Sequence, residues 1–153
     1  MLWSSILKQI ALLGGLGNAP FAPGTVASIF AGIPAACLLA FAQKPMAAAI
    51  ITLIFFLSCY AADETAKKMA KHDPKEVVID ELVGYLVTML WFPITAKSLI
   101  VGLAAFRLFD IWKPWPVSFL DQKIRGGLGI VLDDVGAGIY AHALLWLTLR
   151  IWE

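Results

Sequence analysis

Residues 80–110 read DELVGYLVTMLWFPITAKSLIVGLAAFRLFD. The stretch opens on an acidic pair, Asp80-Glu81, and closes on Asp110. Between them the only charges are Lys97 and Arg107, and Pro93 interrupts the apolar run. It can form one long kinked helix or two short antiparallel ones. A full span needs about 20 residues in a bilayer roughly 30 Å thick, so two helices here are half-length unless they extend into their flanks. The choice sets the topology. With two helices the spans are 26–43, 46–62, 80–93, 96–110 and 135–151, and the polar loops 14–25, 63–79 and 110–134 share one side. With one helix, loop 110–134 lands opposite the others and the acids cannot share a site.

The rest of the chain supports a membrane reading. Of 153 residues 60% are hydrophobic and 15% charged, with mean hydropathy +0.80. The expected fold is all-α: one domain over residues 1–153, an integral membrane bundle of about four to five membrane helices. Residues 1–12, MLWSSILKQIAL, add a short amphipathic interfacial helix. No secretory signal is expected, because the first long apolar run starts only near Val26. VGAGIYAHA, residues 135–143, places small residues at helical spacing, which suits close helix packing. No internal repeat or low-complexity segment is present. The net charge of +1 gives no basic stripe for nucleic acid. Cys37 and Cys59 lie inside apolar stretches and read as core residues. In the two-helix topology the motif-bearing side carries most Lys and Arg. The positive-inside bias makes that side cytoplasmic.

Ten of the eleven acids fall between Asp63 and Asp134, at the ends of apolar stretches. An Asp at bilayer depth costs roughly 2.5–3.5 kcal/mol on insertion scales. A divalent cation in a cluster of oxygens compensates such groups, and a hard ion such as Mg²⁺ takes carboxylates, water and phosphate. The pairs Asp80-Glu81 and Asp133-Asp134 also allow a plainer reading as first-turn acids on a helix dipole, worth about 0.3–1 kcal/mol. Arg107, Asp110 and Lys113 lie three apart and share a helical face. They form either a local ion-pair ladder or cations that hold phosphate beside a metal-binding acid. Pro114 and Pro116 then stop the helix. GGLGNAPFAPGT (14–25) and RGGLG (125–129) are either tight turns or loops that aim backbone N–H groups at an anion. Asp63-Glu64 reads as interfacial charge, with Glu64 an outer ligand. His72 reads as a solvated loop residue, and His142 as a hydrogen-bonding residue between helices.

Four blocks carry a family resemblance: GLGNAPFAPGT (15–25), HDPKEVVIDELVG (72–84), AFRLFDIWKPWPVSFLD (105–121) and GGLGIVLDDVGAG (126–138). In this order they resemble the bacterial phosphatidylglycerophosphatase A family. The resemblance implies Mg²⁺-dependent removal of the terminal phosphate of phosphatidylglycerophosphate, giving phosphatidylglycerol, at the cytoplasmic leaflet of the inner membrane. The expected metal residues are Asp80, Glu81, Asp133 and Asp134, with Glu64 outside them. Asp80, Asp110, Asp121 and Asp134 are the expected catalytic acids, and Asp110 or Asp121 completes the metal shell or acts as general base. Thr25, Arg107, Lys113, Lys123 and Arg125 are expected to bind substrate. The expected partner is the phospholipid substrate; nothing in the sequence sets an oligomeric state. One departure is visible: the family often has Gly before the Ser of the first motif, where this chain has Ala27 before Ser28. Two rivals remain at this stage, a carboxylate-lined cation transporter and a non-catalytic lipid-binding protein.

Overall fold

The computed structural model describes residues 2–71 and 74–151, and these are helical with no strand among them. His72 lies outside the described residues. Helix α1 (Leu2–Ala11) buries Leu7 and Ala11 and leaves Trp3 and Ile6 exposed. A 3₁₀ stretch, Leu13–Asn18, follows, with Gly14 and Gly15 at φ 69° and 106°. Only glycine takes these values at no steric cost. Helices α2 (Pro23–Ala27) and α3 (Ile33–Leu39) are joined by a π turn at Ser28–Gly32. Pro34 has no N–H for the regular bond back along the helix, so a wider turn just ahead of it is the local solution.

Helix α4 (Lys44–Met69) runs past the expected end at residue 62. Asp63, Glu64, Lys67 and Lys68 therefore ride on its last turns instead of a loop. Lys67 meets Asp63 one turn back at 2.6 Å, which suits a helix end in water. The 80–110 stretch is two helices, α5 (Ile79–Met89) and α6 (Ala96–Trp112). Thr95 and Ser98 cap α6 reciprocally: Ser98 N donates to Thr95 Oγ1 at 3.1 Å and Thr95 N donates to Ser98 Oγ at 3.0 Å. Trp91 Nε1 donates to Lys44 O at 3.3 Å, so the α5–α6 turn sits beside the start of α4.

Residues 110–134 are not a loop. They hold helix α7 (Val117–Lys123) and the first turns of α8 (Gly127–Ile151). The expected span start at residue 135 is thus corrected to Gly127, and Asp133-Asp134 cannot be first-turn acids. Asp80-Glu81 do occupy the first turn of α5.

Helix α8 packs against α4, α5, α6 and α7. Ala137 and Ala141 are fully buried. A Cβ on Gly138 would overlap the carbonyl oxygen of Gly84 on α5, and a Cβ on Gly84 would lie 2.5 Å from Phe106 Cε2. Glycine at both positions lets the backbones of α5 and α8 touch.

Two helices, α4 and α8, are long and apolar enough to cross a membrane. The most apolar window of α4 has mean hydropathy 2.0 yet is only 28% buried. A soluble core helix would be mostly covered; here Leu53 and Phe56 face outward. At 11 and 17 residues, α5 and α6 fall short of a full span.

Gly138→Ala should force α5 and α8 apart against rigid backbone, at about 1–3 kcal/mol. Thermal unfolding in detergent should show Tm lowered by roughly 2 °C or more; an unchanged Tm would mean the helices do not touch there.

Candidate metal and phosphate site

The N-terminus of α2, the α4–α5 connection, the first turn of α5, the end of α6 and the second turn of α8 enclose a cavity of about 230 Å³. Five carboxylates line it: Asp80 and Glu81 from α5, Asp110 from α6, Asp133 and Asp134 from α8. Glu81, Asp110 and Asp134 each place one carboxylate oxygen within 4.8 Å of the other two. Asp80, Asp133 and Asp134 are buried. Asp80 Oδ1 accepts the backbone N–H of Glu81 at 3.0 Å.

Two cations are threaded through this cluster. Arg107 Nη1 ion-pairs with Glu81 and, at 2.8 Å, with Asp110. The Arg107–Asp110 contact is the local i,i+3 pair of the ladder reading. Lys113 does not continue that ladder. It ends α6 in the left-handed conformation, φ 46°, where Pro114 cannot prolong the helix. Its ammonium turns instead to Asp121, at 2.8 Å, and to Asp133. Burial works against the Lys113 charge, but its hydrogen bonds to Asp121 and Asp133 outweigh it and hold the ammonium above the ordinary lysine range.

Backbone forms one wall. A Cβ on Gly24 would overlap Glu81 Oε1 and lie 2.9 Å from Arg107 Nη1. The donor set suits a hard cation: it is all oxygen, and buried Asp133 Oδ1 and Asp134 Oδ2 have no hydrogen-bond partner. Buried polar atoms are nearly always satisfied, so two orphaned carboxylate oxygens on one cavity point to a bound ion.

Not every expected residue converges. Thr25 is outside the lining, although its neighbour Gly24 is in it. Glu64 pairs with Lys67 on the outer side of α4. Asp121 reaches the cluster only through Lys113. Lys123 and Arg125 are exposed, because α7 ends and the chain turns before α8. The RGGLG glycines serve packing: Gly126 has φ 74°, and a Cβ on Gly127 would overlap Cys59 O. Gly127 N donates to Asp63 Oδ1 at 3.1 Å, so Asp63 fixes the start of α8. His142 packs on the Phe92 ring, centroids 4.7 Å apart. Sequence reasoning missed Lys75 and Gly24 as lining residues and Asp63 as a cap. The first two lay inside the motif blocks 72–84 and 15–25; Asp63 gave no signal.

The family model described as Phosphatidylglycerophosphatase A matches residues 9–149. The chain belongs to the phosphatidylglycerophosphatase A family. It is 33% identical to phosphatidylglycerophosphatase A of Escherichia coli K12 over 139 residues, 90% of this chain and 80% of that one. It is 34% identical to phosphatidylglycerophosphatase A of Haemophilus influenzae over 152 residues, 97% and 93% of the two chains. A Bacteroides thetaiotaomicron relative, 36% identical over 86% of each chain, carries a provisional name as a phosphatidylinositol-3-phosphatase. No solved structure matches the chain. The family match includes all five lining carboxylates.

Gly24→Ala should displace Glu81 and Arg107 together. A misplacement near 1 Å costs about 10²-fold in well-oriented sites, so turnover of a lipid phosphomonoester should fall by over tenfold with helix content unchanged. Retained turnover would show that the α2 backbone is not part of the site.

Proposed function

We propose that this chain hydrolyses the terminal phosphomonoester of phosphatidylglycerophosphate, giving phosphatidylglycerol and phosphate. One observation carries the reading: in a member of this family, five carboxylates from three helices meet two cations in one cavity. Glu81, Asp110 and Asp134 would hold Mg²⁺, with Asp80 and Asp133 beside them. When bound, Mg²⁺ supplies Lewis-acid polarisation of a phosphoryl oxygen and a water of lowered pKa. The remaining tasks fall to the chain. Arg107 fixes Glu81 and Asp110 in place and brings positive charge to the phosphate. Lys113 holds Asp133 and faces the same space. An acid of the cluster takes the proton of the attacking water.

The proposed setting is the bacterial inner membrane. The helix Pro23–Leu39, α4, the α5–α6 hairpin and α8 would form one membrane-embedded domain of four to five segments, with α1 at the interface. The cavity end carries Lys67, Lys68, Lys71, Lys75, Arg107 and Lys113, against Lys44, Lys97 and Arg150 at the far end, and this bias supports a cavity that faces the cytoplasm. Ile111, Trp112 and Trp115 are exposed next to Lys113. Such an apolar collar lets acyl chains stay in the bilayer while the headgroup enters the cavity. A transporter is not favoured: its acids would be spread through bilayer depth, and these share one cavity. The relative named for phosphatidylinositol 3-phosphate shares the chemistry of a lipid phosphomonoester and makes the headgroup the variable.

Phosphate release from phosphatidylglycerophosphate should require Mg²⁺ and stop with EDTA. Asp80→Asn, Asp110→Asn and Asp134→Asn should each lose most turnover while still folding, since the charge is what a cation needs. Near-normal turnover in all three would end the reading. Glycerol phosphate should show far lower kcat/KM than the lipid, because burial of acyl surface contributes about 25 cal/mol per Å².

Lys113→Ala should lower kcat/KM over tenfold, as loss of a charge-assisted bond costs on the order of 2–3 kcal/mol. Lys67→Ala and Lys71→Ala should have small effects, because their partners Asp63, Glu64 and Glu76 form surface pairs worth about 0–1 kcal/mol. Equal effects at all three lysines would remove Lys113 from the site.

A further inference from the structure

The five acids of the cavity are not equivalent. Glu81, Asp110 and Asp134 form one compact trio of oxygens. Arg107 already engages Glu81 and Asp110. Asp133 stands outside the trio, and Lys113 takes only its Oδ2. Its Oδ1 is buried with no hydrogen-bond partner, as is Oδ2 of Asp134. A single cation in the trio leaves Asp133 Oδ1 stranded. Asp134, the neighbour of Asp133 in sequence, belongs to the trio, and all five acids line the same cavity.

Charge points the same way. The lining carries five acids against three bases, Lys75, Arg107 and Lys113, and is two charges negative. A phosphomonoester, with a second pKa near 6, brings about two more negative charges at pH 7. One divalent cation leaves the loaded cavity two charges negative; two neutralise it. At about 30 Å³ for each water-sized group, a cavity of about 230 Å³ has room for two ions and a phosphoryl group.

We infer that the cavity binds two divalent cations, one in the Glu81–Asp110–Asp134 trio and one at the orphaned Oδ1 of Asp133 beside it. In two-metal sites generally, ions about 3.5–4 Å apart stabilise both the attacking and the leaving oxygen of an in-line displacement, and here the trio and Asp133 would hold them. The inference rests on the metal reading above and extends it from one ion to two.

Mn²⁺ is the probe. The purified full-length protein in detergent is titrated with Mn²⁺ alone, and bound metal is counted by equilibrium dialysis and electron paramagnetic resonance. Two Mn²⁺ per chain at saturation are expected, with a spin-coupled spectrum. Asp133→Asn should bind one and lose the coupling while keeping wild-type helix content. One uncoupled Mn²⁺ per wild-type chain overturns the inference and leaves the one-metal phosphatase standing; protonation of two acids would then balance the charge. No bound Mn²⁺ overturns both.

Discussion

The desolvation of Asp133 and Asp134 constrains the rest of the molecule. They lie two turns inside α8, the helix on which α4, α5, α6 and α7 all pack. Burying an uncompensated carboxylate is far too costly for a marginally stable fold. Every element around them therefore brings either a counter-charge or a backbone that fits closely: Arg107 and Lys113 from α6 and its cap, the Gly24 wall from α2, the Gly84 contact from α5. Core and site are not separate parts of this protein. The packing that buries one face of α8 is also what brings Asp133 and Asp134 into the cavity.

Much of this was readable from the chain. Pro93 between two apolar runs marks the α5–α6 turn, and Pro114 marks the end of α6. Asp80 and Glu81 of block 72–84, Asp110 of 105–121 and Asp133 and Asp134 of 126–138 line one cavity, whereas Glu76 and Asp121 do not. Other features were hidden for physical reasons. GLGIVLDD reads as a polar loop because glycine and paired acids are poor helix formers, yet tertiary packing makes it the start of α8. DETAKKM reads as a charged connection, yet its charges sit at i,i+4 spacing and stabilise two more turns of α4. Lys123 and Arg125 flank the motif in sequence but face outward, whereas Lys113 reaches inward only because its backbone turns left-handed. Nothing in one sequence announces a side chain's direction after such a turn. Asp63 capping Gly127 across 64 positions is a purely tertiary fact.

Charge and small residues divide the labour along α8. Toward its N-terminus, glycine at 127 and acids at 133 and 134 hold the helix to α4 and build the cavity. Farther along, Ala137, Gly138, Ala141 and Leu145 are buried against α5 and α6 with no ionisable group among them. The apolar half holds the angle between helices that the polar half needs, so changes well away from the carboxylates can still alter the cavity.

The exposed collar of Ile111, Trp112 and Trp115 has a kinetic consequence. In the proposed membrane setting these side chains would anchor in the leaflet beside Lys113, and substrate would arrive and product depart by lateral diffusion in two dimensions. The concentration that governs the rate is then the mole fraction of phosphorylated lipid in the surrounding leaflet, not its amount per volume of cell. Diluting the bilayer with inert lipid slows such a catalyst, while adding more water to the same membranes leaves it unchanged.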